Sequence, residues 1–300
     1  VPEPVAAVDC GTNTIRLLVG ALPEIAHRES RIVRLGQGVD ATGRLADEAL
    51  ERTFAALDDY AATIREHGAT RVRLCATSAV RDAANGEVFV RGVEQRLGVT
   101  PDVLTGAEEA ALTFDGAVRD LTDPAPAPVL VVDVGGGSTE LVLGSRVGVQ
   151  TAHSMDIGSV RLHERHLRSD PPTAAEVAAC VADIDAALDA QPVPVGAART
   201  VVGVAGTHLS IAAGVLGLAS YDREAVDQRR LPVTEVAAYV DRLVAMSVEE
   251  RLALPYLSPG RADVIGAGAL IVSRVLARAS VTELVASESD ILDGIAWSLV

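Results

Sequence analysis

The chain has 300 residues, 49% hydrophobic but only 3% aromatic, and a formal net charge of −15 at pH 7. That length is enough for two domains with aliphatic cores, and that charge argues against a general nucleic-acid or membrane-surface binder, which would need basic patches. All 26 basic side chains are Arg and none is Lys, so any phosphate clamp must be built from guanidinium groups and backbone amides.

In chain order, residues 5–8 and 15–22 read as a β-hairpin around Asp9-Cys10-Gly11-Thr12-Asn13, and 31–35 as a third strand. Residues 47–67 place Leu50, Phe54, Leu57, Ala61 and Ile64 on one helical face, with Gly68 set to end the helix. A short strand at 72–76 leads into Thr77-Ser78-Ala79-Val80-Arg81, and a helix follows at 87–97. After a strand at 102–104, Thr105 and Glu108 have the spacing of a capping box. Glu109 has no such duty and lies in the first turn of that helix, where the dipole favours a carboxylate.

Pro124-Ala125-Pro126-Ala127-Pro128 reads as a stiff linker and sets the expected domain boundary, 1–125 against 126–286, with 287–300 available to complete the first lobe. Directly after it, the apolar run 129–132 stops at Asp133, passes through Gly135, Gly136, Gly137, Ser138, Thr139 and Glu140, and resumes at Leu141. Such a turn can bring backbone amides close to an anion, because glycine has no Cβ and accepts positive φ. The flanking carboxylates Asp133 and Glu140 make sense there beside a hard cation such as Mg²⁺. The strand, Asp-x-Gly, hydroxyl residues and second strand repeat the design at Asp9, so two equivalent turns imply two similar halves facing one cleft.

Beyond this hairpin, residues 147–153 read as a strand and Gly158-Ser159-Val160-Arg161 leads into a helix. A further helix runs to about residue 190, 200–205 is a buried strand ending at Gly206-Thr207, and helices at 234–245 and 261–278, a strand at 282–286 and a last helix from 289 complete the chain. His163 and His166 read as solvent-facing, and His208 as packing or surface. Cys10, Cys75 and Cys180 lack metal-ligand spacing and read as free thiols of a reducing compartment. With no membrane-length apolar run and no signal-type start, a cytoplasmic location is expected.

Six segments, Asp9 to Arg16, Ala76 to Arg81, Gly106 to Ala110, Asp133 to Glu140, Gly158 to Arg161 and Gly203 to Thr207, together resemble the exopolyphosphatase / guanosine-pentaphosphate phosphohydrolase family, in that order and across almost the whole chain. The resemblance implies an α/β, two-domain actin-like ATPase fold of duplicated βββαβαβα lobes with the active site in the interdomain cleft. It implies removal of the terminal phosphate of inorganic polyphosphate, or of the γ-phosphate of guanosine pentaphosphate, with Mg²⁺ (or Mn²⁺) and water. By the same carry-over Glu109 is the catalytic base, and Asp9, Asp133 and Glu140 are metal or water-positioning groups. Gly11, Thr12, Asn13, Arg16, Arg81, Gly135, Gly136, Gly137, Ser138, Ser159, Gly206 and Thr207 form the phosphate cradle.

Many relatives carry Arg after the Glu-Glu-Ala segment where this chain has Ala111, so one anion contact is either missing or supplied by Arg16, Arg81 or Arg161. The chain also lacks the extra helical domain of long family members and resembles the short actinobacterial type, for which a preference for short polyphosphate and a homodimer are expected. A kinase or actin-like ATPase shares the turns but not the Glu-Glu-Ala segment, and a catalytically idle alarmone sensor is the non-enzyme alternative.

Overall fold

The computed structural model describes residues 3–119, 121 and 125–300, so Pro124 of the expected linker lies outside the described residues. The chain divides into two compact units, Val1–Gly116 with Asp290–Val300, and Ala117–Ser289. The division falls inside the helix Gly106–Arg119, ahead of the 125/126 boundary read from the prolines.

In the first unit, β1 (Val5–Cys10), β2 (Thr14–Ala21), β3 (Glu24–Ile32), β4 (Arg71–Ala76) and β5 (Asp102–Val103) form one sheet in the order β3-β2-β1-β4-β5. β1 is antiparallel to β2 and parallel to β4, and is buried along its whole length. Strand alternation feeds two cores. Ala6, Val8 and Cys10 pack on the side of helices Asp47–Glu66 and Gly86–Leu97, whereas Val5, Ala7 and Leu18 pack with Ile291, Leu292 and Ile295 of the C-terminal helix Ile291–Trp297. The third strand is longer and earlier than the apolar run at 31–35 suggested. Its sequence, Glu-Ile-Ala-His-Arg-Glu-Ser-Arg-Ile, lies on the sheet edge with no fully buried position, so it carries little hydrophobic pattern.

The second unit holds β6 (Val129–Val134), β7 (Thr139–Ser145), β8 (Gly148–Met155), β9 (Thr200–Val204), β10 (Arg230–Pro232) and β11 (Glu283–Ala286), in the order β10-β11-β9-β6-β7-β8. Read from β8, the first five strands repeat the meander-then-crossover order of the first unit, and β10 is added antiparallel at the far edge. This repeated order is the duplicated lobe of the actin-like fold. Its core joins Leu130, Val132, Val134 and Leu141 of the sheet to Ile184, Leu188, Ile211 and Ile271 of the helices.

The C-terminal helix meets the helix Gly106–Arg119 through glycines. A Cβ on Gly294 would lie 2.1 Å from the carbonyl oxygen of Leu112, and one on Gly116 would lie 1.9 Å from that of Asp290. Backbone has no rotamer with which to yield, so Gly294→Ala is expected to destabilise the first unit by about 1–3 kcal/mol. Urea denaturation should show the midpoint fall, and an unchanged midpoint would mean that the helices do not pack this closely.

Candidate active site

The turn between β6 and β7 is held by its carbonyls. The Gly135 amide donates to the Ser138 carbonyl at 3.1 Å, closing the turn. The helix Ser159–His166 starts against it: the Ser159 amide donates to the Gly135 carbonyl at 2.9 Å, and those of Val160 and Arg161 donate to the Gly136 carbonyl at 2.9 and 3.1 Å. Arg161 Nε donates to the Gly137 carbonyl at 2.8 Å. The amides of Gly136, Gly137 and Ser138, by contrast, have no acceptor among the described residues. With the carbonyls engaged by the helix start, what the turn offers a ligand is N–H groups, the arrangement that favours an anion.

None of the three turn glycines adopts a left-handed φ, so that part of the sequence argument is corrected. Close approach is what the position requires: a Cβ on Gly158 would sit 2.5 Å from the Gly136 carbonyl oxygen and 2.7 Å from the Gly137 carbonyl carbon. Positive φ appears instead at Ala205, where φ is 60° immediately before Gly206, a strained conformation for a residue with a side chain.

Ser159 and Thr207 reach this turn but serve as braces. Ser159 Oγ donates to the Gly135 carbonyl at 3.2 Å and Thr207 Oγ1 to the Val134 carbonyl at 3.1 Å, so both hydroxyl protons are committed to backbone. The Arg261 guanidinium lies over Gly206, with Nη1 1.7 Å from where a Cβ would be, so a side chain there would displace it. Arg261 carries no motif in the sequence and was missed. His208 is fully buried, with its ring against Gly203 and Nδ1 2.9 Å from the Val204 carbonyl, and burial lowers its pKa to about 4. It is a packing residue, as one of the sequence readings had it. His166 is not simply solvent-facing: it is half-buried, with Nε2 2.9 Å from Asp183.

The first unit repeats the geometry. The Gly11 amide donates to the Thr14 carbonyl at 3.0 Å, the Gly36 amide to the Thr12 carbonyl at 2.8 Å, and the Val33 and Arg34 amides to the Asn13 carbonyl at 3.0 and 2.9 Å. Here too the carbonyls are engaged, and the Thr12 and Asn13 amides have no acceptor among the described residues. Asn13 Oδ1 is buried without a hydrogen-bond partner, an unsatisfied amide end beside the turn.

Glu109 belongs to the same unit and is 7% exposed, not a surface glutamate. Arg81 Nη1 donates to its Oε2 at 3.2 Å and to the Leu104 carbonyl at 2.9 Å. Thr12 Oγ1 lies 3.0 Å from Ser78 Oγ, so the segment Ser78–Arg81 connects the first turn to Glu109. Neighbouring Glu108 instead caps the helix: its Oε2 accepts from the Thr105 amide and hydroxyl at 2.8 and 2.7 Å, which lowers its pKa.

Two residues read as ligand-binding are engaged elsewhere. Arg16 donates from Nε and Nη2 to Asp9 Oδ2 at 3.0 and 2.7 Å and from Nη1 to Asp290 Oδ2. It is thus held between two buried carboxylates and not offered to a phosphate. Asp9 is correspondingly an ion-pair partner, its pKa raised by burial against the pull of Arg16.

Asp133 and Glu140 are opposite one another in the β6/β7 register, both buried, and Ser154 Oγ donates to Glu140 Oε1 at 2.6 Å. Among the described residues no three His, Cys, Asp or Glu side chains converge as a metal cage. A buried carboxylate pair beside a phosphate turn does fit Mg²⁺, which is held by one or two carboxylates, waters and substrate oxygens.

Each unit therefore presents a strand-end turn with engaged carbonyls and amides left over, accompanied by buried carboxylates, which defines a phosphate-handling protein of duplicated α/β lobes. Residues 15–300 match the Ppx/GppA phosphatase family, and the chain belongs to it. It is 48% identical to Exopolyphosphatase 2 of Mycobacterium tuberculosis over 98% of each chain. A solved exopolyphosphatase-like protein superposes with a TM-score of 0.95 at 46% identity over 98% of each chain. An exopolyphosphatase from Cytophaga hutchinsonii gives 0.88 at 25% identity, over 99% of this chain and 97% of that one.

The contact between Gly158 and the glycine turn yields a test. Gly158→Ala should displace the turn amides and weaken tripolyphosphate binding tenfold or more, about 1.4 kcal/mol, in titration calorimetry. Unchanged affinity in the folded variant would show that the turn does not hold the anion.

Proposed function

We propose that the protein is an exopolyphosphatase, a phosphoanhydride hydrolase that releases the terminal phosphate of inorganic polyphosphate by in-line attack of water. The observation that carries the reading is Glu109: free of the capping duty that Glu108 performs, buried, and oriented by Arg81 within the unit that carries the first turn. The amides of Thr12 and Asn13, in the same unit as Glu109, bind non-bridging oxygens of the transferred phosphoryl group, where charge accumulates, and those of Gly136, Gly137 and Ser138 offer phosphate oxygens a second set of donors in their own unit. Glu109 orients the water and accepts its proton as the new P–O bond forms and the bridging P–O bond breaks, leaving phosphate and a polymer one unit shorter. Arg81 fixes the direction of that carboxylate. Asp133 and Glu140 would hold Mg²⁺ or Mn²⁺, which when bound supplies positive charge to phosphate oxygens.

Arg16, Asp9, Ser159 and Thr207 support this machinery from behind, since each is engaged with the protein. Guanosine pentaphosphate is the second substrate candidate, because the family name covers both activities. A homodimer and a cytoplasmic setting complete the reading and rest on the likeness to the family. Among the described residues no helix is long and apolar enough to cross a membrane.

The test is phosphate release, with and without Mg²⁺, from short and long polyphosphate, guanosine pentaphosphate and ATP. Release from polyphosphate is expected, with kcat in Glu109→Gln lower by about 10²–10⁴, the usual contribution of a general base. Near-normal turnover in that variant would remove Glu109 from the role, and no release from any substrate would favour an alarmone sensor.

A further inference from the structure

Asp290 lies outside every motif of the sequence, yet three parts of the first unit converge on it. It is 1% exposed and caps the C-terminal helix, its Oδ1 accepting from the Leu292 amide at 3.0 Å while its own amide donates to Asp293 Oδ2 at 2.9 Å. Its Oδ2 accepts from Arg16, whose other nitrogens both donate to Asp9 Oδ2. Its carbonyl oxygen lies against Gly116, where a Cβ would approach to 1.9 Å. Gly116 is seven positions after Glu109, two turns along the same face of the helix Gly106–Arg119. Asp290 thus touches the helix that carries Glu109 and, through Arg16, the strand end that carries Asp9 and the Gly11 turn.

We propose that Asp290 is a positioning residue, acting through Arg16 to fix the Asp9 strand end and its turn relative to the Glu109 helix. Helix capping alone does not explain the residue, because Ser, Asn or Thr would cap without bringing a charge into the interior. Two buried carboxylates sharing one guanidinium are a poor source of stability compared with apolar packing. They are an effective source of geometry: the planar Arg16 fork fixes the direction of Asp9 Oδ2 two residues before Gly11. The Arg28 ion pair with Asp293 ties the next carboxylate of the same segment to β3, so the segment is held from both strands.

This assignment rests on the hydrolase reading for its catalytic consequence but has a readout of its own. The variants are Asp290→Asn, Arg16→Met and the double substitution, assayed with tripolyphosphate and Mg²⁺, with folding checked by circular dichroism. Asp290→Asn should lower kcat about tenfold with KM within about threefold, and in the Arg16→Met background it should add less than about twofold, the non-additivity of residues acting in series. Hydrogen exchange should accelerate in the same variants at the Gly11, Val33, Arg34 and Gly36 amides, which donate within or into the turn. Arg16→Lys, which keeps the charge but not the fork, gives the same readings should Asp290→Asn fail to fold. Wild-type kcat with unchanged exchange, or additive losses in the double variant, would overturn the proposal. If the wild type releases no phosphate the hydrolase reading falls, and the exchange rates alone then decide whether Asp290 holds the turn.

Discussion

The constraint behind this structure is that a chain of net charge −15 with no lysine has to receive a polyanion. The solution lies in the peptide groups. In each unit a strand ends, the chain turns, and neighbouring amides engage the turn carbonyls: Ser159, Val160 and Arg161 in one case, Gly36, Val33 and Arg34 in the other. What is left without a partner is N–H, partial positive charge whose position is set by backbone and not by flexible side chains. Acidic side chains can then surround the site without abolishing anion binding, provided a cation or a guanidinium stands between them and the phosphate.

The order of the elements, the two hairpins and the division of labour between Glu108 and Glu109 were legible in the sequence, because each follows from local rules. Apolar runs broken by turn residues mark β1, β2, β6 and β7, and the Thr105–Glu108 spacing marks the cap that Glu108 provides. The repeated Asp-x-Gly pattern likewise foretold the repeated strand order. The short β10 was not legible, because three residues ending in proline carry no periodicity.

The side-chain assignments of the site were harder to read, for a different reason. Arg16 looks like a phosphate ligand from its place beside the first turn, but its partner Asp290 is 274 positions away. Asp9 was read as a metal group for the same reason, and only folding shows Arg16 on it. Ser159 and Thr207 carry the right chemistry for anion contact and direct it at backbone carbonyls. Of the two grounds given for the turn glycines, left-handed φ is not what the fold uses, and the tight contact it does show falls on Gly158, which packs against the carbonyls of Gly136 and Gly137. Arg261 shows the converse, a side chain with no motif around it whose guanidinium rests on Gly206.

The central claim is that the turn amides are the groups that hold phosphate oxygens, and it can be tested at the amides themselves. Thr12, Asn13, Gly136, Gly137 and Ser138 donate to no acceptor among the described residues, so in the free protein their hydrogens should exchange rapidly wherever solvent reaches them. Binding of tripolyphosphate and Mg²⁺ to the slowed Glu109→Gln protein, followed by amide hydrogen exchange, should protect the turn amides. Exchange at all of these amides as in the free protein, with the ligand bound, would contradict the account.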